Sequence, residues 1–321
     1  MRLGLSAGMI YSLASVAGAS EFRLEMPLDC TLGDTCFIQQ FTDRDPGPGA
    51  ADFTCGPLVY DGHKGTDFAL PSLAALENGV DVLAASTGIV GGVRDEMADI
   101  LVGQPGAPDL DGRDCGNGLV INHGDGWETQ YCHMRLGSLT VRAGERVEAG
   151  TVLGQVGLSG RTEFPHLHLS VRKDGAVIDP FAPEGMDGCQ IASGDALWAD
   201  DIAYTPGGWV SVGFSPDVPD FDVIKAGTAE VTLAGNPGAM VLWGYGFGIQ
   251  RGDTVLIEID GPSGPFHQAR LPLERTQAQM FRASGKRRPK AGWEPGVYIG
   301  RITLLRDGAV ISMREIAATL P

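Results

Sequence analysis

Apolar and polar positions alternate over short runs along most of the chain, the two-residue period of strands with one face buried. In the first half this pattern, with its β-branched residues, predicts strands at Val80 to Ala84, Gly88 to Val93, Leu119 to Asn122, Trp127 to His133, Leu139 to Val141, Val152 to Val156, His166 to Val171 and Val177 to Asp179. Turn signals such as Gly124-Asp125-Gly126 and Asp174-Gly175 punctuate them. Only Leu73 to Glu77 hints at a helical period, and it is short. Val141-Arg142-Ala143-Gly144 and Val147-Glu148-Ala149-Gly150 repeat too closely for a solenoid and read as two turns of a compact barrel. Further strands are predicted at Val241 to Tyr245, Thr254 to Asp260, Phe266 to Leu271, Gly296 to Leu305 and Ala309 to Ile316, with Asp307-Gly308 as a hairpin turn. Roughly seven short strands in about 110 residues suggest an immunoglobulin-like sandwich. The fold class expected is mostly β: a compact β-barrel or sandwich followed by an immunoglobulin-like β-sandwich.

Cysteine and histidine usage divides the chain in the same place. All six cysteines and five of the six histidines precede residue 190, and only His267 follows. The break falls between 189 and 205, and Tyr204 to Pro219, rich in Pro and Gly, reads as a linker or a loop-rich entry to the second unit. At the other end, Arg2, the apolar run Leu3 to Val16 and Ala17-Gly18-Ala19 have the order of a secretory signal peptide cleaved after Ala19. No later stretch reaches the about eighteen apolar residues of a membrane span. The expected organisation is a signal peptide at 1–19, a first domain at 20–189 with a disulfide-bearing N-terminal extension, and a β-sandwich at 205–321. The destination expected is periplasmic or extracellular. An even cysteine count in an exported chain reads as three disulfides. Cys30 and Cys36 enclose a short loop, Cys115 and Cys132 flank a hairpin almost symmetrically, and Cys55 is left for Cys189.

Charge narrows the partners. With 24 basic against 40 acidic residues, a formal −16, attraction to nucleic acid phosphates or an anionic membrane is not expected. The basic run Lys286-Arg287-Arg288-Pro289-Lys290 reads as a solvated loop.

Metal-competent side chains concentrate in His63-Lys64-Gly65-Thr66-Asp67, Tyr131-Cys132-His133-Met134 and His166-Leu167-His168. Two residues apart on a strand pattern, His166 and His168 project from one face, and buried imidazoles need partners. A hydrolytic zinc takes three protein ligands and keeps a fourth position for water. His63 and Asp67 supply two, and either His166 or His168 completes the tripod. The remaining histidine of the pair and His133 would stand beside the water, one as base and one as stabiliser of the developing oxyanion.

These motifs, in this order, resemble the lysostaphin-type or LytM-like zinc metallopeptidases, which cut peptide bonds in peptidoglycan. The resemblance covers residues 62–181 and includes Gly157-Leu158-Ser159-Gly160-Arg161 and Pro165-His166-Leu167-His168. It implies a β-sheet metallopeptidase domain of the duplicated-hybrid-motif kind, one Zn2+ per chain held by His63, Asp67 and His168, and His133 and His166 as catalytic histidines. It also implies peptidoglycan peptides as substrate. Relatives that lose these residues act as activators or binding modules, and all five positions are filled here. Leu169-Ser170 follows the histidine pair where relatives often carry an acidic residue, and two further departures stand out. Glu163-Phe164 replaces the usual small residues before Pro165, and the acidic segment Arg94 to Asp114 is inserted where a wall of the groove or, less naturally, a calcium loop could form. The rival readings are a secreted metalloprotease of glycine-rich proteins and a non-enzymatic wall-binding or regulatory protein. The second domain would dock to wall material or a protein partner, or shield the groove.

Overall fold

The computed structural model describes residues 21–184, 188, 196–229, 232–233 and 235–321. The expected signal peptide at 1–19 and Cys189 lie outside the described residues.

The first unit is built from β1 (Phe37–Gln40), β2 (Thr66–Ala69), α1 (Leu73–Glu77), β3 (Asp81–Leu83), β4 (Gly88–Arg94), β5 (Asn117–Gly124), β6 (Trp127–Met134), β7 (Arg146–Val147), β8 (Val152–Gln155), β9 (His166–Lys173) and β10 (Ala176–Ile178). One antiparallel sheet runs β1-β2-β9-β6-β5-β4-β7, with β10 on β9, and β3 pairs with β8 in a small second sheet. The alternation on β9 explains its place. Leu167, Leu169 and Val171 are fully buried and join Tyr131, Ile121, Val82 and Leu153 in the core, which leaves His166, His168 and Ser170 on the other face.

Most expected strands of this unit are present within about two residues. Leu139 to Val141 is instead a loop, tied by the Thr140 N–H to Leu153 O at 3.0 Å. β1 and β2 had no alternation to announce them, because every one of their residues is buried, including Gln39, Gln40, Thr66 and Asp67. The two expected turns end at Gly144 and Gly150, both with positive φ. Cys30–Cys36 and Cys115–Cys132 are bonded as expected. Cys55 is also in a disulfide.

The second unit comprises β11 (Gly208–Ser215), α2 (Phe221–Ala226), β12 (Ala239–Ile249), β13 (Thr254–Gly261), β14 (Gly264–Pro272), β15 (Gln277–Arg287), β16 (Gly296–Arg306) and β17 (Ala309–Leu320). Sheets β11-β12-β15 and β14-β13-β16-β17 enclose Phe214, Leu242, Val255, Ile257, Ile302 and Leu304, a two-sheet sandwich of seven strands. Asp307 (φ 50°) and Gly308 (φ 82°) make the two-residue turn that joins Arg306 to Ala309.

Of the linker or loop-rich entry expected at Tyr204 to Pro219, Gly208–Ser215 is instead β11, an eight-residue strand that buries Trp209 and Phe214. β15 was also unannounced, since Met280 is its one fully buried residue. The basic run is only partly a loop: Lys286 and Arg287 end β15, and the Lys286 ammonium donates to Phe266 O at 2.7 Å.

The two units share a packed seam. Leu197 and Trp198 lie in the first core, and so does Phe247 of β12, whose ring centroid is 4.6 Å from that of Phe37. Gln279 donates to Gln39 at 2.7 Å across the same seam.

Candidate metal centre

Three neighbouring strands bring the candidate residues together. Asp67 on β2 lies directly opposite His168 on β9, so the two share a face, and His166 is two residues away on that face. His63 enters from the turn before β2. Gly65, between His63 and Asp67, lets the turn press against β9: a Cβ there would sit 2.5 Å from Leu169 O and 2.7 Å from His168 Nε2.

His133 reaches the same face by a different device. Cys132 faces His168 across β6 and β9, so regular alternation would turn His133 towards the core. Instead the register slips between Asn117 and Leu119 of β5, where two residues of β6 oppose one. The bulge holds His133 at φ 64° and returns Met134 to the core beside Tyr131, both fully buried. The His133 N–H donates to Cys115 O at 2.8 Å, and His133 O accepts from Gly157 N–H at 2.9 Å. The Cys115–Cys132 disulfide clips the same spot.

Each imidazole is oriented from outside. His63 Nδ1 donates to Phe41 O at 2.6 Å, and His168 Nε2 donates to Ser170 Oγ at 3.0 Å while that hydroxyl donates to Lys64 O at 2.8 Å. The unprotonated nitrogens therefore turn inward, where His63 Nε2, His168 Nδ1 and Asp67 Oδ1 stand 3.1, 3.1 and 2.8 Å apart. Three electron-pair donors at such range call for a cation between them. A tetrahedral ion about 2.0–2.1 Å from each donor needs them roughly 3.3 Å apart, close to what is found. Nitrogen and carboxylate donors in that geometry suit Zn2+.

The other two histidines follow the same rule without joining the triangle. His133 Nδ1 donates to Ser159 O at 2.8 Å, and His166 Nδ1 donates to Phe164 O at 2.9 Å. Their rings lie 4.6 Å apart, and His166 Nε2 is 3.7 Å from Asp67 Oδ1. His123, the remaining histidine of this unit, is structural: its nitrogens meet Thr87 O and Thr129 Oγ at 2.9 and 2.8 Å.

Burial sets the protonation of the pair. It pushes the His133 imidazole well below its usual range, with the neighbouring His166 and His168 adding to the effect, and it lowers His166 against the pull of Asp67. Both are neutral at neutral pH. Burial opposes ionisation of Asp67 too, but the facing imidazoles His63 and His166 outweigh it and hold the carboxyl well below its usual range. His63 moves up: burial alone would lower it, and the Asp67 charge overcomes that.

Sequence reasoning missed the outer partners. Phe41, Ser159 and Phe164 contribute backbone carbonyls, for which no side-chain signal exists, and Ser170 is a single hydroxyl in a strand. The insertion also has a role the motif did not announce. Asp99 accepts from Leu136 and Leu158 N–H at 2.8 and 2.7 Å, and Val102 N–H donates to Thr162 O at 2.9 Å, which ties it to the loop leading into His166. Its other acids include Asp114, paired with Arg161 at 2.8 Å, and Glu96, 3.8 Å from Arg113. Among the described residues the one metal-competent cluster is His63, Asp67 and His168.

Residues 61–180 match the sequence pattern of peptidase family M23. Over 118 residues, 37% of this chain and 22% of the relative, the sequence is 31% identical to the DD-carboxypeptidase/endopeptidase Mpg of Neisseria meningitidis serogroup B. Over 109 residues, 34% of this chain and 20% of the relative, it is 34% identical to the peptidoglycan DD-endopeptidase ShyA of Vibrio cholerae serotype O1. The chain thus spans about a fifth of the length of these relatives. Among solved structures, the catalytic domain of the antimicrobial peptidase lysostaphin from Staphylococcus simulans is 26% identical, with 39% of this chain and 82% of that one covered and a TM-score of 0.28.

Proposed function

Residues 61–180 are a peptidase family M23 domain, and from that premise we propose that the protein is an exported zinc endopeptidase hydrolysing peptide bonds in the stem peptides or cross-links of peptidoglycan. The relative named as a peptidoglycan DD-endopeptidase supports the substrate class. The disulfides Cys30–Cys36 and Cys115–Cys132 suit an oxidising compartment. Among the described residues no helix is long and apolar enough to cross a membrane.

The observation that carries the reading is the inward convergence of three electron-pair donors on His63, Asp67 and His168. These residues would hold one Zn2+, which when bound brings a water to a pKa near 7 and polarises the scissile carbonyl. His133 and His166 handle the proton. Each keeps Nδ1–H on a backbone carbonyl, which leaves Nε2 as the free basic atom. A neutral imidazole accepts a proton at Nε2 from the attacking water as the C–O bond forms. The same Nε2–H then gives that proton to the leaving amine nitrogen as the C–N bond breaks, while the other imidazole accepts a hydrogen bond from the water at its free Nε2 and so orients the attack. Their low basicity, due first to burial, keeps both ready to accept at neutral pH and quick to return the proton.

Zinc-loaded protein incubated with purified sacculi should release peptide fragments whose masses identify the bond. His168→Ala should lose zinc and activity together. His133→Ala should keep stoichiometric zinc and lose about 10²–10⁴ in rate, the contribution of one positioned acid or base. Near-normal turnover by His133→Ala would remove its assigned role, and sacculi left intact by the parent protein would remove the function.

A further inference from the structure

At the seam between the two units a cavity of about 360 Å³ is lined by Phe164 and Pro165, the residues that lead into His166. Phe164 and Leu70 form its wall on the peptidase side, the insertion contributes Leu101 and Gln104, and the second unit contributes Tyr245 and Gln279. Phe164 links cavity and site, since its ring stacks on the His166 imidazole with centroids 4.3 Å apart.

Tyr245 supplies the second observation. It is 4% exposed, held on the outer face of β12 under α2 with its ring 5.6 Å from Phe221. Among the described residues no group hydrogen-bonds its hydroxyl, and burial, the one cause acting on it, raises the phenol pKa and keeps it a donor. Unlike the fully buried unpartnered side-chain atoms of the described residues, the hydroxyl keeps accessible surface, and Tyr245 lines the cavity, where a ligand can accept from it. A hydroxyl and two carboxamides among leucine and phenylalanine walls match the alternating amide groups and small apolar side chains of a peptide. The charges at the rim leave little pull on an anion: Lys225 is paired with Asp222 at 2.9 Å, and Glu163 is acidic.

We propose that this cavity is a substrate subsite built jointly by both units, which takes an uncharged peptide segment of small residues flanking the scissile bond, with the Tyr245 hydroxyl donating to one of its carbonyls. The inference rests on the endopeptidase reading for what fills the cavity. It assigns the sandwich a part in recognition, with Tyr245 a binding residue 77 positions beyond His168 in sequence.

The test separates the two ideas by measuring binding apart from hydrolysis. Titration calorimetry with N-acetyl-D-Ala-D-Ala amide on the zinc-loaded protein should show binding that Tyr245→Phe weakens about two- to tenfold, the worth of one uncharged hydrogen bond. Leu101→Trp, which fills the cavity from an exposed loop, should abolish it. With sacculus-derived cross-linked peptides both variants should raise KM at unchanged kcat and zinc content. Probe binding that the variants weaken, without any cleavage of sacculi, would sink the endopeptidase function and leave the subsite standing. If the parent protein does not bind the probe, or if folded, zinc-replete variants match it in both Kd and KM, the subsite is overturned.

Discussion

Gly65 illustrates how one residue type can be required by chemistry it does not perform. Its Cα lies so close to β9 that a methyl group would overlap Leu169 O and the His168 ring, one of the three donors. Gly65→Ala should therefore force His168 off its hydrogen bond to Ser170 and weaken zinc binding by about 10- to 100-fold, the usual cost of disturbing a ligand's outer partner. Competition with a chromophoric chelator would measure it, and unchanged affinity would mean that the turn can move away freely. His63, Asp67 and the histidine pair were legible because side chains with metal-binding chemistry recur at strand spacing. Phe41 and Ser159 were not, since any residue offers the same carbonyl.

At the scale of elements, the bulge in β6 decides which face His133 serves. A non-glycine residue in the left-handed region costs on the order of 1–3 kcal/mol and persists where its surroundings hold it. Here the Cys115–Cys132 disulfide and the bond from His133 N–H to Cys115 O hold it. Replacing both cysteines by serine should lower stability by about 2–4 kcal/mol. On the proposed function it should also reduce kcat while zinc stays stoichiometric, because His133 is loosened and the three candidate metal ligands lie on other segments. Denaturant melts and metal analysis on the same preparation check both parts, and an unaltered kcat would show that backbone bonds suffice to hold the bulge. The hairpin and its cystine were readable from spacing about a turn triplet. The bulge was not, because an extra residue leaves no trace in an apolar pattern interrupted by cysteine and histidine. β2 escaped for a related reason: its polar Thr66 and Asp67 are both buried, Asp67 for the site, so neither marks a face exposed to water.

Across the whole molecule the seam makes the two units depend on each other. Phe247 belongs to a sandwich strand yet packs in the core of the first unit against Phe37, on β1 at the edge of the sheet that carries the candidate metal centre. Phe247→Ala should cost about 3–5 kcal/mol. Followed by calorimetry, it should lower the temperature at which the peptidase unit unfolds as well as that of the sandwich. A loss confined to the sandwich would show that the seam is passive. The same seam forms the cavity that holds Tyr245, so a recognition role for the sandwich and its contribution to stability share one interface.

Local chemistry written along the chain was enough to establish a mostly β protein, its hairpin turns, two of its disulfides and the five residues that gather at the candidate metal centre, because period, turn preference and side-chain type act over a few residues. Which ring nitrogens turn inward, which way His133 points and which residues of the second unit line the cavity at Phe164 were decided only when strands from separate parts of the chain packed. Those features depend on backbone carbonyls, register and buried neighbours, and each is set by the free energy of burying whole faces together rather than by the residues that display it.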